Sequence, residues 1–407
     1  DSLAIPHNSN ISGGSAFSNE SFNGGPIDDS YASNRLLNEP LVEITQAKGT
    51  SETHPLISKN DEWASFETAA PSRYPSNEMK NIKGSYVRNA YLRGLAIEEK
   101  GIVNPYKFGL IGSSDSHVAG GSYNEETHFS KIGMIDGTPK LRGSVPFNKT
   151  FGFIMSKISG SEEVTQYEMA NLMKYVDNNY YLNAGDRIIY FGASGLAGVW
   201  AEENTRESIF AAFRKKETFA TSGPRIKVRF FGGYDLENYS LSDENLIRKA
   251  YSLNTPMGGD IFTDNQMSPT FLIWTVSDPL SNKLQRSQIV KGWVENGVHN
   301  EKVFDVACSD GLKVDPITHR CPDNGAEVNL NDCSTTANIG ASELKTFWKD
   351  PEFNSDINAF YYVRVLENPS CRWSTWDAVR NGEKPRSDID SIIQERAWSS
   401  PIWVKSF

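Results

Sequence analysis

The chain has no uninterrupted run of about 18 apolar residues, so no stretch of it reads as a membrane-spanning helix. It also has no surplus of basic charge. Its 41 Lys and Arg are outnumbered by 51 Asp and Glu, for a formal net charge of −10. Such a balance argues against nucleic acid as a partner, because no basic stripe is available to neutralise phosphates. A small anionic ligand stays open, since bound metal ions can supply positive charge locally. Cysteine is absent from the first 307 residues and occurs only at Cys308, Cys321, Cys333 and Cys371. No Cys-x-x-Cys knuckle is among them, which argues against zinc and for two disulfides in a periplasmic or secreted protein. Three connectivities are open. The nucleophile elbow Gly-x-Ser-x-Gly, the phosphate loop and the dinucleotide fingerprint are missing as well.

What is present is a chain of 407 residues, 38% hydrophobic and 23% charged, long enough for two domains. It begins Asp1-Ser2-Leu3-Ala4-Ile5-Pro6-His7, without Met, in what reads as the end of a strand at Ile5, and residues are expected upstream. Residues 8–40 read as a loop and Leu41–Ile44 as a short strand. Val87, Ala90, Tyr91 and Leu95 recur at helical spacing after Ser85, a candidate N-cap, and Gly101 supplies the stop, so a helix is expected over Ser85–Lys100. A partly helical stretch is expected around Ser161–Tyr175, a buried strand at Arg187–Phe191 and an amphipathic helix over Thr205–Lys216. After Gly223 the pattern turns to β: Ile226–Phe231, Phe271–Val276, Arg286–Val294, Glu301–Val306, Phe360–Leu366 and Pro401–Val404, with one helix near Ala341–Trp348. The expectation is an α/β domain over 1–223 and a β-sandwich-like domain over 224–407 with a cysteine-bearing insert.

Chemistry concentrates in Phe108-Gly109-Leu110-Ile111-Gly112-Ser113-Ser114-Asp115-Ser116-His117. This reads as an apolar strand running into a carboxylate and an imidazole two positions apart. Strand geometry would put both on one face, as a hard-oxygen and borderline-nitrogen pair of metal ligands. Small residues before the pair would let the backbone approach whatever is bound there. His7 follows another strand end, and in α/β folds ligands collect at such ends. Glu43 lies inside its strand, as a residue pointing into a barrel mouth would. Glu52 and His54 form a loop pair, and Arg225 is placed to reach an anionic substrate; these four are candidates for lining a site. His128 is expected in solvent. The segments around Cys371–Asp377 and Glu395–Trp403 are dense in Trp and Arg, which suits structural stacking.

In order along the chain, Ile5-Pro6-His7-Asn8, Val42-Glu43-Ile44 and Gly109–His117 resemble the later motifs of the PHP (polymerase and histidinol phosphatase) metallohydrolase superfamily. More closely, the chain resembles the bacterial domain-of-unknown-function 3604 group, and the likeness continues through Gly198–Ala201, Thr218–Pro224, Ala359–Asp377 and Ile393–Trp403. The resemblance implies the C-terminal part of a distorted (β/α)7 barrel holding two or three divalent metals (zinc, manganese or iron). His7 would be a strand-end ligand, and Asp115 with His117 the closing Asp-x-His pair. It further implies hydrolysis of a small anionic ester, most simply a phosphoester, by a metal-bound hydroxide. The family's other ligands would precede His7, so the site is expected to be incomplete within these residues and to use an upstream segment as partner. The rival expectation is a non-catalytic exported binding protein whose β domain recognises a glycan or a protein.

Overall fold

The structure is a computed structural model that describes residues 2–69, 79–158, 172–183, 188–263 and 267–406. The chain is a mixed α/β protein, with seven α-helices and several sheets among the described residues and no closed barrel. Strand β1 (Leu41–Gln46) is followed by helix α1 (Val87–Glu98) and strand β2 (Gly109–Gly112). The two strands pair in parallel, Leu41 opposite Gly109 and Val42 opposite Leu110, with a bulge between Glu43 and Thr45. This is the β-helix-β rhythm that the apolar spacing predicts. Next come β3 (Leu196–Val199), α2 (Arg206–Lys215) and β4 (Thr218–Thr221). Beyond Gly223 lie β5 (Lys227–Gly233), β6 (Asp260–Thr263), β7 (Thr270–Val276), β8 (Leu284–Glu295), β9 (Val298–Cys308), β10 (Glu343–Lys349) and β11 (Ala359–Glu367). Helix α3 (Trp373–Arg380) and strands β12 (Arg396–Ser399) and β13 (Ile402–Ser406) complete the set.

An eight-stranded sheet dominates, in the order β6-β13-β11-β12-β4-β3, with β8 and β9 added along β11. It crosses residue 223, because β4 pairs with β12, Ala220 opposite Trp398. Both of its faces are buried, and period-two alternation shows how. On one face Phe360, Tyr362, Trp398 and Trp403 pack with Val42, Leu110, Tyr91 and Leu95 of the β1–α1–β2 unit. On the other, Tyr361, Val363, Val365, Ala397 and Ile402 pack against Val228, Phe230, Phe271 and Ile273. Those last four belong to a four-stranded sheet in which β7 lies between β5 and β10. The result is three layers around a central sheet, which explains why β11 is buried at every position.

Several local expectations change. Residues 2–8 form no strand, although the Glu43 N–H donates to the Pro6 carbonyl at 3.0 Å, so the segment runs beside β1. Residues 29–38, read as loop, are a helix capped by the Asp28 carboxylate. Helix α1 begins at Val87 without a side-chain cap; Ser85 instead accepts the Gly14 N–H at 2.8 Å. Ile188–Tyr190 is one 3-10 turn rather than a strand, and Arg187 lies outside the described residues. Of the stretch 161–175, residues 161–171 also lie outside them, and Met173–Val176 is a strand. The helix expected near Ala341–Trp348 is strand β10: its Leu, Phe and Trp side chains pack along β7, and tertiary pairing overrides local propensity. Disulfides join Cys308 to Cys321 and Cys333 to Cys371, tying down both ends of the insert. Among the described residues no helix is long and apolar enough to cross a membrane.

Candidate functional site

The parallel β1/β2 pair brings two strand ends to one edge, and the polar cluster grows from there. Glu43 projects from β1 into a buried position. Its Oε2 accepts the hydroxyl of Ser113, just past the end of β2, and its Oε1 accepts the Asn8 N–H at 3.4 Å. Burial raises its pKa, against the opposing pull of those bonds and of the nearby His7. Asn8 sits in the left-handed region at φ 56°, which turns its side chain onto Gln46 Nε2 at 2.6 Å and Lys48 Nζ at 3.0 Å.

Lys48 carries the network to Asp115. Its Nζ lies 2.6 Å from Asp115 Oδ2, and the ammonium of Lys131 lies 3.0 Å from the same oxygen. Lys131 also donates to the Asp115 carbonyl at 2.6 Å. Burial would lift the Asp115 carboxyl, but hydrogen bonds from Lys48 and Lys131 outweigh it and hold the pKa down at about 2. His117 takes the other side, with Nε2 at 3.5 Å from Asp115 Oδ1. Its backbone N–H donates to the Lys131 carbonyl at 2.8 Å, so one loop fixes both residues. The His117 side chain is 57% exposed and that of Lys131 is 2% exposed, making the lysine the buried support and the imidazole the reachable group.

Asp115 and His117 thus meet at one edge and are linked to Glu43 through Lys48 and Asn8, while His7 stands near enough to Glu43 to favour its charge. The route differs from the expected one. The strand ends at Gly112, and Asp115 adopts a left-handed conformation at φ 48°, so a turn rather than strand alternation aims the pair. Lys48 and Lys131 escaped sequence reading. Lys48 has a weak signal, standing directly after β1, whereas Lys131 is sixteen residues beyond Asp115 with no motif to mark it.

The remaining candidates go elsewhere. Glu52 is buried among Arg88, Arg364, Tyr362 and Trp398, far inside the layer junction. The His54 Nδ1 accepts the Leu56 N–H at 3.2 Å and its ring lies 5.7 Å from that of Tyr86. Arg225 is exposed on the lining of a cavity that includes neither Asp115 nor His117. His128 is not in open solvent: its ring stacks on buried Trp373 at 4.7 Å, and burial, then Arg142 and Arg372, lowers its pKa to about 3.

Among the described residues, no group of three or more His, Cys, Asp or Glu is arranged to hold a metal ion. Asp115 and His117 do approach each other as an ion pair. Donors bound at about 2.0–2.2 Å in a tetrahedral shell stand roughly 3.3–3.5 Å apart, and Asp115 Oδ1 and His117 Nε2 are 3.5 Å apart. Oδ1 is the oxygen the lysines leave aside. That spacing is compatible with two ligands of one cation, and it is equally that of a direct Asp–His ion pair.

A family described as a protein of unknown function, DUF3604, matches residues 1–406. The chain belongs to that family. No curated protein matches it.

Proposed function

We propose that the Asp115 edge is one wall of a metal-dependent hydrolase site acting on a small anionic ester, most simply a phosphoester. The observation that carries this reading is the division of labour on Asp115, with Oδ2 on two ammonium groups and Oδ1 facing an exposed imidazole. Divalent ions bound there would lower the pKa of water toward ~7 and offset charge on a leaving oxygen. The chain's own residues do the rest. Lys48 and Lys131 keep Asp115 ionised across the neutral range and give the edge a positive field suited to an anionic ester. His117 presents a nitrogen that solvent and substrate can reach. Glu43, its pKa raised by burial against the pull of the Ser113 bond, lies at the same edge, and His7 stands near enough to favour its charge. The likeness to PHP metallohydrolases, including the C-terminal part of their barrel, supports the same reading through these ordered strand-end donors. The two disulfides support a periplasmic or secreted setting.

The test is metal retention followed by turnover. Protein equilibrated with Zn2+ or Mn2+ is dialysed, its metal counted by mass spectrometry, and p-nitrophenyl phosphate hydrolysis measured. Asp115→Ala combined with His117→Ala is expected to weaken metal binding by more than about 100-fold, beyond what losing an outer-shell partner costs. Metal content equal to wild type in the double variant would sink the proposal.

A further inference from the structure

A cavity of about 570 Å³ lies where four segments meet: the loop at Tyr123–Glu126, the Gly223–Arg225 link, the turn at Asp278–Asn282 and the cysteine insert at Cys333–Thr335. Its size is within the range of small-molecule sites, roughly 300–1,000 Å³. Its walls are fixed. Gly223 leaves no room for a side chain, since a Cβ there would stand 2.2 Å from the Tyr123 carbonyl oxygen. The Cys333–Cys371 bridge pins the insert where it lines the cavity, with the two Cα atoms 5.6 Å apart.

Two carboxyl groups on this lining are almost wholly buried, Glu125 at 6% exposed and Glu395 at 4%. Glu125 Oε2 accepts the Trp373 N–H at 2.5 Å. The Ala193 amide favours its charged form, yet Oε1 is buried with no donor in bonding geometry. Arg372, which also favours the charge, is already bonded to Glu67 at 3.0 Å. Glu395 has the Ser222 hydroxyl as its direct partner. Burial, then the charge of Glu67, pushes Glu125 up to about 7; burial, then Glu125, pushes Glu395 well above the carboxylate range. Glu126 and Asp278 add acid to the lining, and Arg225 is the one basic residue in it.

We propose that this cavity binds a small organic ammonium compound, with its –NH3+ taken by Glu125 and Glu395 and its hydroxyl groups by Ser281, Asn282 and Thr335. A buried carboxyl oxygen without a donor is costly, and an ammonium brings three donors and the compensating charge together. Charge-assisted bonds of this kind are about twice as strong as neutral ones. A neutral polyol would satisfy the hydroxyl and amide groups but bring no charge to favour the ionised form of the two buried carboxyls.

Calorimetric titration of the whole chain tests this with matched probes: ethanolamine, glucosamine and cadaverine against ethylene glycol, glucose and 1-pentanol. At least one ammonium probe is expected to bind about tenfold or more tighter than its neutral match. Glu125→Gln, a change of nearly equal shape, is expected to abolish that preference, and Glu395→Gln to reduce it. The Asp115→Ala, His117→Ala double variant is expected to bind the probes as wild type does, which separates this site from the strand-end one. The proposal is overturned if no ammonium probe outbinds its neutral match, or if the preference survives both glutamine variants. Equal binding of glucose and glucosamine would reassign the cavity to neutral sugars.

Discussion

Arg364 Nη2 donates to Asp61 Oδ1 across 2.8 Å, joining residues 303 positions apart. Around that bond, Arg88 reaches Glu52 at 2.5 Å and Asp61 at 2.9 Å, while Tyr362 and Trp398 donate to the two oxygens of Glu52 at 2.7 and 2.8 Å. Two guanidinium groups and two carboxylates therefore balance inside the protein, each side chain no more than 3% exposed. The cluster stitches the segment after β1 and helix α1 to the central sheet. Its net worth relative to an apolar core is small, but breaking it is costly because the orphaned charges stay buried.

Arg364→Met is accordingly expected to lower stability by about 3–5 kcal/mol, the range for removing one partner of a buried pair. Urea unfolding checks this. A loss below about 1 kcal/mol would mean that Glu52 and Asp61 are satisfied without the arginine.

Stability is expected to peak in mildly acidic solution. Burial would raise Glu52, but Arg364 and Arg88 overcome it and hold the carboxyl at about 2, below its ordinary value of 4.5. Asp61 and Asp115 are held low in the same way. A depressed carboxyl stabilises above its unfolded pKa, and that stability is lost as pH falls through the folded value. His128, kept neutral down to about 3, adds to the acid limb. Glu125 at about 7, Glu367 at about 8 and the raised Glu395 act oppositely, burial being the first cause for each. Their contribution is complete below 4.5 and is lost as pH rises through the folded values. Melting temperatures from pH 3 to pH 9 should pass through a maximum near about 5, with Glu367→Gln flattening the alkaline fall. A melting temperature that climbs steadily to pH 8 would contradict this.

The elements legible in the sequence are those whose burial repeats with a simple period. Helix α1 shows its apolar stripe, α2 begins one residue past Thr205, and β7, β8, β11 and β13 fall where apolar β-formers cluster between turns. Strand β10 escapes the sequence because its half-buried Phe347 and Trp348 pair with Leu272 and Phe271 of β7, far earlier in the chain than any local window reaches. Charge pairing was the least legible part. Glu52 and His54 read as a loop pair, yet Glu52 belongs to arginines from α1 and β11, and only the folded chain brings these together. The Asp115–His117 pair was legible as a motif. Lys48 and Lys131, which set its electrostatics, were not, because ammonium groups arrive on long flexible stems from any direction.

Gly112 ties the fold to the strand-end site. A Cβ there would stand 2.7 Å from the Leu196 carbonyl oxygen and 2.8 Å from that of Thr221, so β2 lies against the backbones of β3 and β4. Gly112 thus serves close approach of strands. Gly112→Ala must push β2 outward, and neither backbone oxygen can yield cheaply. The following residue, Ser113, donates its N–H to Thr45 O at 3.0 Å and accepts the Gly195 N–H at 2.9 Å, so the shift passes directly into the Glu43–Ser113 contact. The expected cost is about 1–3 kcal/mol of stability, the range for overpacking. It should be accompanied by weaker retention of Zn2+ or Mn2+ at Asp115 and His117. Gly120→Ala is the control in the same loop, where a Cβ meets nothing within 4 Å. It should change stability by less than about 0.5 kcal/mol and leave retention alone. Equal effects from the two substitutions would mean that the contacts of Gly112 with Leu196 and Thr221 do not decide its role, and the proposed coupling between the sheet and the site would fail.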